Sequence, residues 1–165
     1  MVAYRRNYVK GGCYFFTVTL LDRQSTLLID HIDSLRDSFR KVKQRHPFTI
    51  DAIVILPEHL HCIWTLPEND DNFSLRWREI KSAFSRQLPV NEYRPKSRQS
   101  RKERGIWQRR FWEHTLRDEQ DYQRHVDYIH YNPVKHGYVA TPIEWEFSSF
   151  NNFVANNIYP ENWAM

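Results

Sequence analysis

Two apolar runs separated by a single Pro-Glu pair constrain this chain more than any other feature. Phe48 to Leu56 (FTIDAIVIL) and His59 to Leu66 (HLHCIWTL) are rich in β-branched and aromatic residues, and the break at Pro57-Glu58 is too short for a crossover. The second run must therefore return antiparallel to the first, as a hairpin. Tyr14 to Leu21 (YFFTVTLL), which follows Gly11 and Gly12, has the same composition and reads as an earlier strand. Between it and the hairpin, Ile32, Leu35, Phe39 and Val42 recur at helical spacing, with Asp30 placed to cap that helix and Pro47 to close it.

Phe73, Trp77, Ile80, Phe84 and Leu88 form the apolar stripe of a second helix, whose remaining surface carries Arg76, Arg78, Lys81 and Arg86. Residues 89–105 (PVNEYRPKSRQSRKERG) hold two prolines and no periodicity, and read as a mobile basic loop within one domain. Trp107 to Arg117 supplies a fourth strand. Glu119 to Asn132 makes a third helix, expected to stop before Pro133 because proline disfavours helical geometry in the residue ahead of it. The element order is the split βαβ, ferredoxin-like arrangement, an α+β fold with an antiparallel sheet and a helix added at the end. It predicts a single domain over 1–165, with a core from about 9 to 137 and a C-terminal extension over 138–165. Enzymes and nucleic-acid binders both use this fold, so it does not choose a function.

Composition narrows the choice. A chain of 165 residues with 41% hydrophobic residues can bury one respectable core. Two cysteines, Cys13 and Cys62, are too few for a disulfide scaffold or a four-cysteine zinc site, and they suit a reducing compartment such as the cytoplasm. No stretch reaches the ~20 apolar residues that span a bilayer, and Tyr4, Arg5 and Arg6 stand where a signal peptide would turn apolar. The net charge of +4 conceals a division: 12 Lys and Arg against 3 Glu from Arg76 to Arg110, then 3 basic against 8 acidic residues over 111–165. Trp77, Phe84, Tyr93, Trp107, Phe111 and Trp112 lie in or beside the basic stretch. Concentrated positive charge with flat rings is what a single-stranded polyanion carrying bases would select.

His59 and His61 are one residue apart on a strand, so both imidazoles share a face while Leu60 and Cys62 take the other. Neutral imidazoles placed this way form a two-point claw for a divalent metal, with positions left over for a phosphate oxygen. A lone His-x-His is more often a pair of half-buried polar side chains, so a partner is required. The third helix offers one: Asp121, His125, Tyr128 and Asn132 follow at spacings of four, three and four, while Tyr122, Val126 and Ile129 make a second stripe for the core. The Asn132 amide oxygen suits a third ligand, and the Tyr128 phenol one turn away is placed to attack a phosphate held by that metal. Tyr122 faces the core; Tyr131, about 60° from Tyr128 around the helix, is the weaker competitor. Magnesium or manganese matches mixed oxygen and imidazole ligands, and zinc is disfavoured because Cys62 faces away from the histidines.

Beyond these patterns, Pro57-Glu58-His59-Leu60-His61-Cys62-Ile63-Trp64 resembles the signature of the HUH superfamily of single-stranded-DNA nucleases. Tyr4-Arg5-Arg6 with Gly11-Gly12-Cys13-Tyr14-Phe15-Phe16-Thr17, Arg110-Phe111-Trp112-Glu113-His114, Val126-Asp127-Tyr128-Ile129 and Asn132-Pro133-Val134-Lys135-His136-Gly137 resemble the REP-associated tyrosine transposases. The likeness runs over nearly the whole chain, to Trp145–Phe150 (WEFSSF). It implies a HUH motif on a central strand and a catalytic-tyrosine helix toward the C-terminus. By resemblance, His59 and His61 are metal ligands, Asn132 is the third where many relatives use glutamine, and Tyr128 is the nucleophile. The implied activity is metal-dependent cleavage and rejoining of single-stranded DNA carrying palindromic REP hairpins, through a 5′-phosphotyrosine link. The implied cofactor is Mg²⁺ or Mn²⁺, with no nucleotide cofactor and no membrane. The Asn132–Gly137 motif favours a monomer, and the DNA substrate places it in the cytoplasm with the nucleoid. Loop 89–105 looks longer than in compact members of the family.

For gripping DNA the candidates are Arg5, Arg6, Arg76, Arg78, Lys81, Arg86, Arg109 and Arg110, whose cationic heads match phosphates. His114 fits either a DNA contact or packing within its strand. The competing reading is a non-catalytic single-stranded nucleic-acid-binding module of RRM-like shape. It accounts for sheet, rings and charge, but gives no reason for His59, His61, Tyr128 and Asn132 to converge. A phosphoesterase with paired histidine motifs would need a second histidine strand, which the sequence lacks.

Overall fold

The Pro57-Glu58 break does turn the chain back on itself. A computed structural model describes residues 5–164, so Tyr4 of the N-terminal motif lies outside the described residues. Strands β2 (Thr49–Ile55) and β3 (His59–Thr65) pair antiparallel, and the Leu56 amide donates to the His59 carbonyl at 2.9 Å across the turn. Strand β1 (Cys13–Thr19) pairs with the other side of β3, and β4 (Trp112–Thr115) with β1, giving the order β2-β3-β1-β4. This is the expected ferredoxin-like order. It makes β3 a central strand covered on both faces, so a run that reads as uniformly apolar still sorts its side chains by alternation.

Tyr14, Phe16, Val18, Leu60, Cys62 and Trp64 point into the larger core, beneath helices α2 (Ile32–Arg45) and α3 (Phe73–Arg86). There the rings of Trp64 and Trp77 stack 4.2 Å apart. The opposite face buries Phe15, Ala52, Val54 and Ile63 against Val126 and Ile129 of helix α5 (Glu119–Lys135). Cys62 and the two histidines are thereby on opposite faces, as alternation requires. The free edge of β2 is covered by the C-terminal segment: the Ile55 amide donates to Phe147 O and the Ser149 amide to Ile53 O, each at 2.8 Å. Beyond it, helix α6 (Phe150–Ala155) buries Phe150, and the Tyr159 hydroxyl donates to Asp127 of α5. The extension therefore clasps α5 to its own sheet.

Four expectations are corrected. Asp30 does not cap α2; it ends a separate short helix, α1 (Leu27–Asp30), where its carboxylate accepts from the Thr26 hydroxyl at 2.6 Å. The fourth strand covers only Trp112–Thr115, with Trp107 left as a lone bridge to Leu20. Between them, side chains take the carbonyls a ladder would use: Lys81 Nζ donates to Gln108 O at 2.8 Å and Arg6 Nη1 to Phe111 O at 2.9 Å. Helix α5 runs through Pro133 instead of stopping before it. So close to the C-terminus the ring deprives a single carbonyl of its partner, and the helix closes with the Gly137 amide on Val134 O (2.9 Å) and the Tyr138 amide on Pro133 O (3.0 Å). Gly137 adopts φ +75°, which a side chain would strain. Finally, 89–105 contains a helix, α4 (Lys96–Ser100), and is tied down by its own charges. Arg104 Nε donates to Glu92 at 2.6 Å, and buried Arg98 donates to Arg104 O at 2.9 Å.

Candidate active site

Packing of Val126 and Ile129 against the sheet lays the other stripe of α5 over the histidines. The Tyr128 ring lies 5.3 Å from that of His61, edge-on, and the His136 ring lies 5.3 Å from that of His59. The two histidine rings are 4.8 Å apart. Asn132 is fully buried and stands four residues from both Tyr128 and His136, one turn from each on the same face. His59, His61 and Tyr128 are thus brought together, and Asn132 lies on α5 between Tyr128 and His136. His136 joins them, a residue seen in the sequence only as part of a motif; the spacing 128, 132, 136 is the signal that would have found it. Tyr122 packs on the smaller core, and burial pushes its phenol up to about 12. Tyr131 is exposed, and the tyrosine ring that meets His61 among the described residues is that of Tyr128.

Hydrogen bonds orient the imidazoles. Glu58 holds His59 Nδ1 at 2.5 Å, and because a carboxylate only accepts, the lone pair of His59 is left on Nε2. Thr17 Oγ1 holds His61 Nδ1 at 2.7 Å. His61 Nε2 and both polar atoms of Asn132 are buried without a hydrogen-bond partner. Burial, reinforced by His59 and His136, pushes His61 down to about 3, and burial lowers His59 against the opposing pull of Glu58. Both imidazoles are therefore neutral at neutral pH, the form that ligates a metal. Leaving such buried atoms unsatisfied costs about 1–3 kcal/mol each, a cost that a bound cation would remove for the two acceptors, His61 Nε2 and Asn132 Oδ1. Two imidazole nitrogens and an amide oxygen fit a divalent cation that must also accept phosphate oxygens.

A second group, His114, Asp121 and His125, has ligand atoms all within 4.8 Å of one another and could also take a metal ion. It was not apparent as a cluster in the sequence, because β4 and α5 meet only in the folded chain. Its carboxylate, however, is already engaged: Asp121 Oδ2 accepts from His114 Nε2 (2.9 Å) and the Arg117 amide (3.2 Å), and His125 Nδ1 bonds Asp121 O (2.7 Å). Burial alone would raise Asp121, but those donors hold its carboxyl down to about 2. This group pins the start of α5 to β4 through an engaged carboxylate, whereas His61 Nε2 and the Asn132 amide have no hydrogen-bond partner.

Residues 9–132 match the family described as IS200-like transposases. The chain belongs to that family. This transposase is 51% identical to the REP-associated tyrosine transposase of Escherichia coli (strain K12) over 164 residues, 99% of this chain and 92% of the relative. A Haemophilus influenzae relative is 50% identical over 166 residues, 99% of this chain and 94% of that one. A solved structure described as a REP-associated tyrosine transposase bound to a REP hairpin superposes with a TM-score of 0.86 at 50% identity, covering 100% of this chain and 92% of that one. The resemblance read from the motifs is thus shown, and the chain is a REP-associated tyrosine transposase. No helix among its described residues is long and apolar enough to cross a membrane.

The cations of this transposase divide sharply. Arg78, Lys81, Arg86 and Arg109 line one groove between α3 and residues 98–111, and Arg98, Lys102 and Arg104, which the sequence reading did not single out, line it too. Arg5 and Arg110 are exposed. Arg6 is half-buried, with its guanidinium 3.9 Å from the Phe111 ring centre and 3.9 Å from Glu113. Arg76 is a correction: it is 1% exposed, and its guanidinium is consumed by Asp70 and by the carbonyls of His46, Pro47 and Asn72. It closes a helix-to-strand corner, where its guanidinium is spent on protein groups.

Proposed function

We propose that this transposase cleaves and rejoins single-stranded DNA beside a palindromic hairpin, with Tyr128 as nucleophile and Mg²⁺ or Mn²⁺ held by His59, His61 and Asn132. The observation that carries this reading is the set of unpartnered buried atoms on His61 and Asn132 next to the half-exposed Tyr128 phenol. Tyr128 Oη attacks the phosphorus of a backbone phosphate. The Oη–P bond forms as the phenol gives up its proton, the P–O3′ bond breaks, and the departing 3′ oxygen takes up a proton in turn, leaving a 5′-phosphotyrosine and a free 3′-hydroxyl. The reverse step rejoins the strand without a nucleotide cofactor. A divalent cation, when bound, supplies charge stabilisation at the phosphate oxygens. The chain's own contributions are the Glu58 and Thr17 hydrogen bonds that orient the imidazoles, and Lys135 Nζ, 3.4 Å from Tyr128 Oη, which places a positive charge beside the attacking atom. Tyr128 meets His61 of its own chain under a clasped α5, which supports a monomer acting in cis.

The deciding experiment incubates the wild-type protein with a labelled hairpin bearing a single-stranded arm, in Mg²⁺ or Mn²⁺ and in excess chelator. A covalent adduct that survives a denaturing gel is expected with either ion and absent with chelator. Tight binding with no adduct under any condition would favour the RRM-like alternative.

The groove carries a pH prediction of its own. Burial, with repulsion from Arg98 and Arg6, pushes Lys81 down to about 8, so its charge is present below that pH and lost above it. If phosphates occupy the groove, hairpin affinity measured by anisotropy should decline as pH rises through about 8, and Lys81→Gln should flatten that decline. Affinity should also fall steeply with salt, as counterion release demands.

A further inference from the structure

Tyr128 has two flanks. One meets His61; the other opens into a pocket of about 460 Å³ lined by Phe15, Thr17, Trp112, Arg124, His125 and Tyr128, with neither metal-binding histidine in its wall. We infer that this pocket seats the nucleotide next to the scissile phosphate, its base stacked on Trp112 and its polar edge facing Arg124 and His125. The inference rests on Tyr128 being the nucleophile, since that puts the phosphate at the pocket's mouth.

The register explains how the wall is built. Trp112 pairs with Thr17 across β1 and β4, so both side chains leave the sheet on the α5 side, where Thr17 already touches His61. Trp112 keeps 57% of its surface exposed at the sheet's edge, a large flat ring beside a nucleophile. Phe15, 5% exposed, forms the inner wall and meets Tyr128 edge-on at 5.9 Å. Arg124 holds 66% of its side chain in solvent while its Nη2 rests 3.4 Å from Asp121, which leaves a cation at the rim. His125 is fixed by its Nδ1 bond to Asp121 O and by stacking on His114 at 4.8 Å, so its Nε2 remains for a ligand. Here the hydrogen-bonded His114–Asp121–His125 group acquires a purpose: it sets the polar edge of the pocket. An aromatic platform with a cation and a hydrogen-bonding ring beside it is the chemistry that holds an unpaired base.

The test places the fluorescent base 2-aminopurine at each position of the single-stranded arm in turn, in a hairpin-plus-arm DNA and in the arm alone. Fluorescence is read on binding, which needs no chemistry. One position should be quenched by the wild type, with quenching lost in Trp112→Ala and kept in Trp112→Phe. Trp112→Ala should also weaken arm-dependent binding about tenfold, while binding of a stem-only hairpin stays unchanged and shows that the variant is folded. Equal quenching in Trp112→Ala, or no quenched position with the wild type, would overturn the inference. Failure of the wild type to form a covalent adduct would instead strike the nucleophile assignment, and the two outcomes are read separately.

Discussion

Tyr128→Phe is expected to bind a hairpin as tightly as the wild type and to form no covalent adduct with it, a loss on the order of 10³-fold or more in cleavage. Phenylalanine keeps the ring that meets His61 and Phe15, so the packing of α5 on β3 is preserved. What is removed is the oxygen, whose recorded hydrogen bond is an exposed one of 3.4 Å from Lys135. Stability should therefore change by less than about 0.5 kcal/mol. The readout is a denaturing gel of labelled DNA alongside an anisotropy titration of the same preparation. Should an adduct persist and map by peptide analysis to Tyr131, the face of α5 assigned to catalysis is the wrong one.

The second large effect falls far from the chemistry. Arg76→Met should lower stability by about 3 kcal/mol, because it takes the guanidinium donors from the carbonyls of His46, Pro47 and Asn72 and removes the buried partner of Asp70. The Asp70 side chain is 35% exposed, so water relieves part of that loss, and the figure belongs at the low end of the range for a broken buried pair. For a chain of this length the midpoint of thermal unfolding should drop by roughly 6–12 °C. Below its lowered midpoint the variant should bind hairpin DNA normally. Arg78→Ala should do the reverse, with near-wild-type unfolding and weaker binding that is less sensitive to salt. If Arg76→Met instead unfolds like the wild type and loses affinity, the guanidinium serves DNA after all.

These two arginines lie two residues apart on one helix, and helical spacing alone sets Arg76 nearer the apolar stripe than Arg78 without saying where its head goes. Position 76 falls beside the apolar stripe of Phe73, Trp77 and Ile80, yet an arginine there can snorkel outward or turn inward with equal ease. Arg76 turns inward because the segment between α2 and β2 brings the carbonyls of His46 and Pro47, about thirty residues away in sequence, to the spot where Asp70 and the Asn72 carbonyl already stand just ahead of it. The same holds for the limits of β4. Its residues have strand composition throughout, but Lys81 and Arg6, distant in the chain, occupy the carbonyls at Gln108 and Phe111.

Local periodicity determined the rest. Alternation along β3 was enough to put His59 and His61 on one face and Cys62 on the other, and helical spacing was enough to put Tyr128 and Asn132 together with Val126 and Ile129 opposite. Those are properties of a strand or a helix alone, so the sequence carries them. That the two faces meet, with Tyr128 against His61 and His136 against His59, follows from how α5 lies across the sheet. So does the convergence of His114, Asp121 and His125 behind the Trp112 pocket. The sequence by itself determined which residues could do chemistry and the side of each element they occupy. Only the tertiary structure decided which of them touch and which charges are spent on backbone carbonyls, because those contacts join segments that no local pattern relates.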